Sequence, residues 1–259
     1  MRSVHLSPII SPIVLFLAVL HPRLVPGQES AVAQPSTADA ALVRQWERLG
    51  AKINLDGEGR VRAIEIHADN LTDADLAGLT QLTSLEALEI GAGNVTDRGL
   101  LYVGKLPALL RLYVHHVAVS DAGLVHLAGL SHLEALGLQN TRIAGAGLAH
   151  LQGLTELQVV NLGYTGITDA DLAHLAGLTN LETLSLERTK ITSAGLKHLQ
   201  KMLRLRVVNL KGCNVDAAGL EHLAGVRSLK ILHLADTKIS RAEAKQFRKK
   251  MDGLATFFD

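Results

Sequence analysis

The chain is short of most features that would betray a function by composition. It has one cysteine, Cys213, in 259 residues. That excludes an internal disulfide framework and any cysteine-rich zinc module. Glycine (23) and proline (6) stand at ordinary levels, which excludes collagen-like and low-complexity classes. Lysine and arginine (26) balance aspartate and glutamate (25), so the charge bias of a nucleic-acid-binding domain is missing. Aromatic residues are scarce at 3%, yet a hydrophobic fraction of 47% is too high for a disordered chain. The longest apolar stretch, Ile9–Leu20, is broken by Ser11 and Pro12. It falls short of the roughly 20 residues that span a bilayer. Signatures of catalysis are missing too. There is no Gly-x-Ser-x-Gly elbow, no phosphate loop of the full Gly-x-x-x-x-Gly-Lys-Ser/Thr form and no His-Glu-x-x-His. The chain is therefore read as a non-enzyme with no cofactor.

The ends of the chain separate from its middle. Residues 1–27 read as a signal peptide, with Arg2 before the apolar stretch and a break at His21-Pro22-Arg23. Retention as an uncleaved anchor is the alternative. Either way the reading is export, to the periplasm, the cell surface or the medium. Losing residues 1–27 removes Arg2 and Arg23 and no acid, leaving a nearly neutral chain. Residues 28–36 read as a linker. Residues 37–60 read as an N-terminal helix-strand cap. Leu42, Val43, Trp46 and Leu49 share one helix face, Gly50 stops the helix, and Ile53 and Leu55 alternate as a strand.

From Val61 the chain repeats every 24 residues without insertion or deletion. Eight units begin at Val61, Leu85, Leu109, Leu133, Leu157, Leu181, Leu205 and Leu229 and end at Asp252; residues 253–259 read as a C-terminal cap. The first, fourth, sixth and eleventh columns are apolar in every unit. The fourth and sixth flank alternating residues, a strand pattern. Further on, apolar residues recur every third position, as at Leu172, Leu175 and Leu178, and are read as a helix face. The twelfth column holds capping residues in seven units (Thr72, Thr96, Ser120, Thr168, Thr192, Asp216, Ser240), with Ala144 the exception. Thr72/Asp75, Thr168/Asp171 and Ser240/Glu243 have capping-box spacing. One unit cannot bury its own apolar side. Stacked units make a continuous core between a parallel sheet and a row of helices.

A pattern such as that of residues 157–180, LQVVNLGYTGITDADLAHLAGLTN, resembles the leucine-rich repeat, in its ribonuclease-inhibitor-like or GALA-like class. Exported bacterial proteins with tandem TDAGLxHLxGL repeats are the most similar. The resemblance covers residues 61–252. It implies a right-handed α/β solenoid, with the parallel sheet on the concave side and the helices on the convex side. The family usually carries Asn, Cys or Thr in the ninth column. Thr141, Thr165, Thr189, Cys213 and Thr237 conform, whereas Asp69, Gly93 and Val117 do not.

Two sets of histidines invite chemistry. His126, His150, His174, His198 and His222 share the eighteenth column. Neighbouring helices pack about 8–10 Å apart, too far for successive imidazoles to hold one ion. His67 and His115 share a strand column two units apart, and strands at about 4.8 Å put them about 10 Å from each other. That spacing argues against a shared metal, and no metal ligand is expected. Cys213 reads as a small core or loop residue; a reactive thiol would need exposure and nearby positive charge, for which only Lys211 stands close in sequence. The basic segment 241–250 reads as a solvated last helix.

The columns between the core leucines face the concave side. They supply the candidate partner-binding residues Arg111, Tyr113, His115, Gln139, Asn161, Tyr164, Glu187, Arg188, Lys211 and His233. Tyrosine and arginine are common interface anchors. The function expected is a non-enzymatic scaffold, monomeric, that binds a protein on its concave face. No nucleic acid is expected as a partner, and no membrane beyond an uncleaved N-terminal anchor. Two alternatives stand beside it. One is a substrate-recognition adaptor like the F-box leucine-rich-repeat proteins of ubiquitin ligases, although no F-box is recognisable before residue 61. The other is glycan binding.

Overall fold

The structure is a computed structural model, and it describes residues 34–36, 39–251 and 253–258. The signal-peptide reading of residues 1–27 and most of the linker therefore lie outside the described residues. Residues 35–259 form one compact unit.

Ten strands form one open sheet in sequence order: β1 (Lys52–Leu55), β2 (Val61–Ile66), β3 (Ala87–Ile90), β4 (Arg111–Val114), β5 (Ala135–Gly137), β6 (Val159–Asn161), β7 (Thr183–Ser185), β8 (Val207–Asn209), β9 (Ile231–His233) and β10 (Ala255–Phe257). β1 runs antiparallel to β2, and every later pairing is parallel. From β2 to β9 the register advances by one unit per strand, as in Ala63 opposite Ala87 and Leu88 opposite Leu112. A constant 24-residue period permits nothing else, because a one-residue slip would turn the leucines out of the core. The fourth- and sixth-column residues point inward and are buried in every unit.

The return half of each unit is tighter than a helix face suggests. Five returns are 3-10 helices, including Asp121–Leu127 and Ser193–Leu199. Three are short α-helices: Asp97–Val103, Ala217–Leu223 and Arg241–Arg248. The reason is in the spacing. A 3-10 helix has three residues per turn, so side chains three apart eclipse. Leu172 and Leu175 thus both reach the core, where each is wholly buried. A rise of about 2.0 Å per residue also lets five to seven residues cover the back of the unit.

Capping differs in detail from the sequence expectation. Ser240 and Glu243 form a complete capping box. Thr72 and Thr168 instead donate to Asp75 and Asp171, each at 2.7 Å, and make only the return half. A further ladder runs between units. Asp73 accepts from the backbone N–H (2.8 Å) and hydroxyl (2.6 Å) of Thr96 one unit on. Asp97 does the same for Ser120, both at 2.7 Å, and Asp169 for Thr192. The recurrent aspartates therefore tie one unit to the next, as well as sitting at helix starts. Asp121 meets only the Ala144 and Gly145 amides, at 3.3 and 3.1 Å, because Ala144 has no hydroxyl.

The core closes differently at its two ends. Helix Ala40–Arg48 buries Leu42 and Val43, and Trp46 completely, in the same apolar cluster as Val61, Ile64 and Ile66. At the other end Phe247, Met251 and Leu254 are buried and Phe258 packs against the core. Phe257 lies on the sheet face, stacked on His233 at 5.1 Å.

Candidate functional site

The sheet face is shallow. Its strand residues are small or folded flat, so many are buried although they point away from the leucine core. Ala135, Thr183 and Ser185 are examples. Tyr113 is another, and here the structure departs from the expectation of a solvent-facing anchor. It is only 8% exposed. Its ring lies over Gly137, where a Cβ would come within 2.5 Å of Cδ1. Its phenol oxygen is buried without a hydrogen-bond partner, and burial pushes its pKa well above the usual value. Arg111 beside it is half-buried.

The remaining candidates fall into two groups. The larger spans the fourth to eighth units. Asn161 donates to Gln139 and uses its own carbonyl oxygen to accept from the Gly163 N–H at 3.0 Å. Tyr164 donates its hydroxyl to Glu187 at 3.0 Å, and Asn209 donates to the other oxygen of Glu187 at 3.3 Å. Arg188 lies over the Tyr164 ring, 5.9 Å from its centroid, and reaches Asp236 two units on at 3.4 Å. That reach crosses Gly212, where a Cβ would meet the Arg188 side chain at 2.6 Å. Lys211 is half-buried, its backbone N–H held by Asn209. His233 is half-buried, and burial lowers its pKa.

The eighth column has an unusual backbone. His116, Asn140, Tyr164, Arg188 and Asp236 all have φ between 51° and 58°. Asn, Asp and His tolerate the left-handed region; Tyr and Arg do so less readily. Tyr164 and Arg188 lie there three residues past the ends of β6 and β7, and both are exposed. Tyr164 is 50% exposed, the most exposed aromatic residue of this face.

The smaller group sits over the first three units, and it corrects the spacing argument made from the sequence. His67 and His115 do stand two strands apart, but their imidazoles lean toward each other. Their ring centroids are 5.8 Å apart. The cause is Gly91, between them in the same column. A Cβ there would lie 1.8 Å from His67 Nδ1 and 3.0 Å from His115 Cε1. Both imidazoles meet Glu89: His115 Nε2 at 3.2 Å and His67 Nε2 at 3.6 Å from the same oxygen. The His115 hydrogen bond is the largest influence holding the Glu89 carboxyl below the usual range, against the opposing effect of burial. His115 is itself 5% exposed, and its Nδ1 lies 2.9 Å from Nδ1 of His116. Burial, then the neighbouring His115, lower the pKa of His116. Glu89 and Asp236 are not among the sequence candidates. A histidine, a glycine and a histidine in one column, with a glutamate two residues before the glycine, is the signal that could have shown the first.

Cys213 is buried, donates its thiol to the Leu186 carbonyl at 2.9 Å, and has its pKa raised by that burial. The Leu186 carbonyl belongs to the preceding unit, whereas Thr141, Thr165, Thr189 and Thr237 each donate to the carbonyl three residues before them in their own unit, at 2.5–2.7 Å. Of the convex histidines, His174 contacts Gln152 at 2.9 Å. Among the described residues no helix is long and apolar enough to cross a membrane.

With this geometry in hand, the class of architecture is a leucine-rich-repeat solenoid. Residues 131–191 match the Leucine rich repeat family. Among solved structures the chain is similar to an internalin of Listeria monocytogenes, at 18% identity and a TM-score of 0.56 over 73% of this chain. It is also similar to internalin C2 of the same organism, at 23% identity and a TM-score of 0.58 over 89% of this chain. The chain spans 57% of the first internalin and all of the second. These identities speak for the fold. No curated protein shows a significant sequence match.

Proposed function

We propose that this protein is an exported, monomeric, non-enzymatic scaffold that binds a partner protein on its concave face, around Tyr164 and Arg188. The leucine-rich-repeat fold supports an interaction role in general, but a fold by itself does not name a site. The observation that carries the site is the exposed, left-handed pair Tyr164 and Arg188, held by Glu187 and Asp236. A buried network would serve folding. This one stands at the surface, where an ion pair such as Arg188–Asp236 contributes about 0–1 kcal/mol. Non-glycine residues in the left-handed region cost stability and gather at functional sites. Eight strands at about 4.8 Å spread the face over roughly 34 Å, room for an interface of about 800 Å² per partner.

The test is capture of the partner from extracts of the protein's own cells, with the wild-type chain and a Tyr164→Ala/Arg188→Ala variant side by side. The reading expects one set of proteins held by the wild-type chain and lost with the variant, whose circular dichroism is unchanged. Equal capture by both chains would refute it.

A further inference from the structure

We propose that His67, Glu89 and His115 form a binding site for a divalent metal ion of the zinc class on the N-terminal part of the sheet face. The inference goes beyond the interaction reading and does not depend on it. Among the described residues these three are the one group of three metal-ligating side chains, one ligand atom from each within 4.8 Å of the others.

The distances are compatible with an ion held between the three side chains. Zinc bonds of about 2.0–2.2 Å in a tetrahedron set its ligand atoms about 3.3–3.6 Å apart. The two edges that meet at Glu89 measure 3.2 and 3.6 Å. His67 Nε2 stands 3.5 Å from Glu65 and 3.6 Å from Glu89, beyond an ordinary hydrogen bond to either. The third edge, between the imidazoles, is within 4.8 Å, and the His67 side chain is 46% exposed.

The surroundings have the features of a supported site. A ligating histidine ordinarily donates its other ring N–H to a neighbour, which fixes its tautomer. His115 has that neighbour in His116 Nδ1, at 2.9 Å. With Nε2 facing the ion, the proton sits on His115 Nδ1 and is donated to the His116 lone pair. Gly91 supplies the room, since any side chain there would occupy the space of the His67 ring. His67 and His115 also line a recess together with Asp69, Asn94 and His116, open to water. Two imidazoles and one carboxylate suit zinc and its first-row neighbours; calcium and magnesium prefer oxygen ligands throughout.

The test is a calorimetric titration of the full-length, untagged chain, stripped with a chelator, with zinc chloride at neutral pH. We expect one equivalent bound with a Kd below about 10 μM, and a tetrahedral visible spectrum when cobalt(II) is used instead. His67→Ala alters an exposed ring and keeps the fold; it should weaken binding at least 30-fold and abolish the cobalt spectrum. Glu89→Gln and Gly91→Ala should each weaken binding at least tenfold, while His150→Ala/His174→Ala on the convex side should leave it unchanged. Absence of saturable binding up to about 1 mM zinc would overturn the proposal. So would binding unaltered in His67→Ala and Glu89→Gln, or binding lost in the convex variant.

Discussion

The aspartate ladder gives a prediction with an internal scale. Asp97 holds both the backbone N–H and the hydroxyl of Ser120 at 2.7 Å. Asp121, one unit later, holds only two amides, at 3.3 and 3.1 Å. Hydrogen bonds to a charged group contribute about 1.5–3 kcal/mol, and leaving a buried donor unmet costs a similar amount. Ser120 is half-buried, so water replaces part of the loss. Asp97→Ala should therefore cost about 1.5–2.5 kcal/mol, and Asp121→Ala about 0.5–1 kcal/mol, because its bonds are longer and no hydroxyl is orphaned. The assay is urea unfolding at equilibrium, read by circular dichroism. Midpoints should shift in that order at a constant denaturant slope. A double-mutant cycle with Ser120→Ala should show that Asp97→Ala costs far less once the hydroxyl is gone. Equal costs at the two aspartates, or a larger cost at Asp121, would refute the claim that this ladder couples neighbouring units.

Two further outcomes follow from burial. Trp46 is wholly buried in the first layer of the core, so Trp46→Ala should cost about 3–5 kcal/mol in the same assay; a cost under about 1 kcal/mol would mean that helix Ala40–Arg48 does not cover the stack. Stability should also fall with pH in two steps. His116 and His233 have pKa values lowered by burial from the ordinary 6.5, so below that value the unfolded chain binds more protons and stability is lost as pH falls. Glu89 is depressed, so its contribution is present above the unfolded carboxyl value and is lost only as pH falls through its own lower pKa. Melting temperatures of wild type and His233→Gln across about pH 2–8 check this, since the variant should lose part of the upper step and keep the lower one.

Much of the fold is written in the period of the sequence. The 24-residue spacing that aligns Leu88, Leu112 and Leu136 is the register of the sheet itself, because strands one unit apart are neighbours. What the period does not carry is how side chains lean. His67 and His115 are two strands apart by column, and only the missing side chain of Gly91 lets their rings converge on Glu89. Tyr113 occupies a column that faces away from the leucine core, yet it lies down over Gly137 and is buried. The same absence of a side chain at Gly212 lets Arg188 reach Asp236. In each case the deciding residue is a glycine in the neighbouring unit, which a column-by-column reading treats as a blank. The 3-10 returns were legible in principle: leucines every third residue match three residues per turn better than 3.6. The inter-unit role of Asp97 was less so, since an aspartate after a capping residue reads equally well as part of its own helix.

The central claim is that binding belongs to the concave face near Tyr164 and Arg188. It is tested most directly by the affinity of the captured partner for three chains: wild type, Tyr164→Ala/Arg188→Ala, and His150→Ala/His174→Ala. The account predicts at least a tenfold loss for the concave variant, about 1.4 kcal/mol, and an unchanged affinity for the convex one. Melting temperatures should stay close to wild type in both, since exposed substitutions usually cost under about 0.5 kcal/mol each. Binding that survives the concave changes and disappears with the convex ones would contradict it.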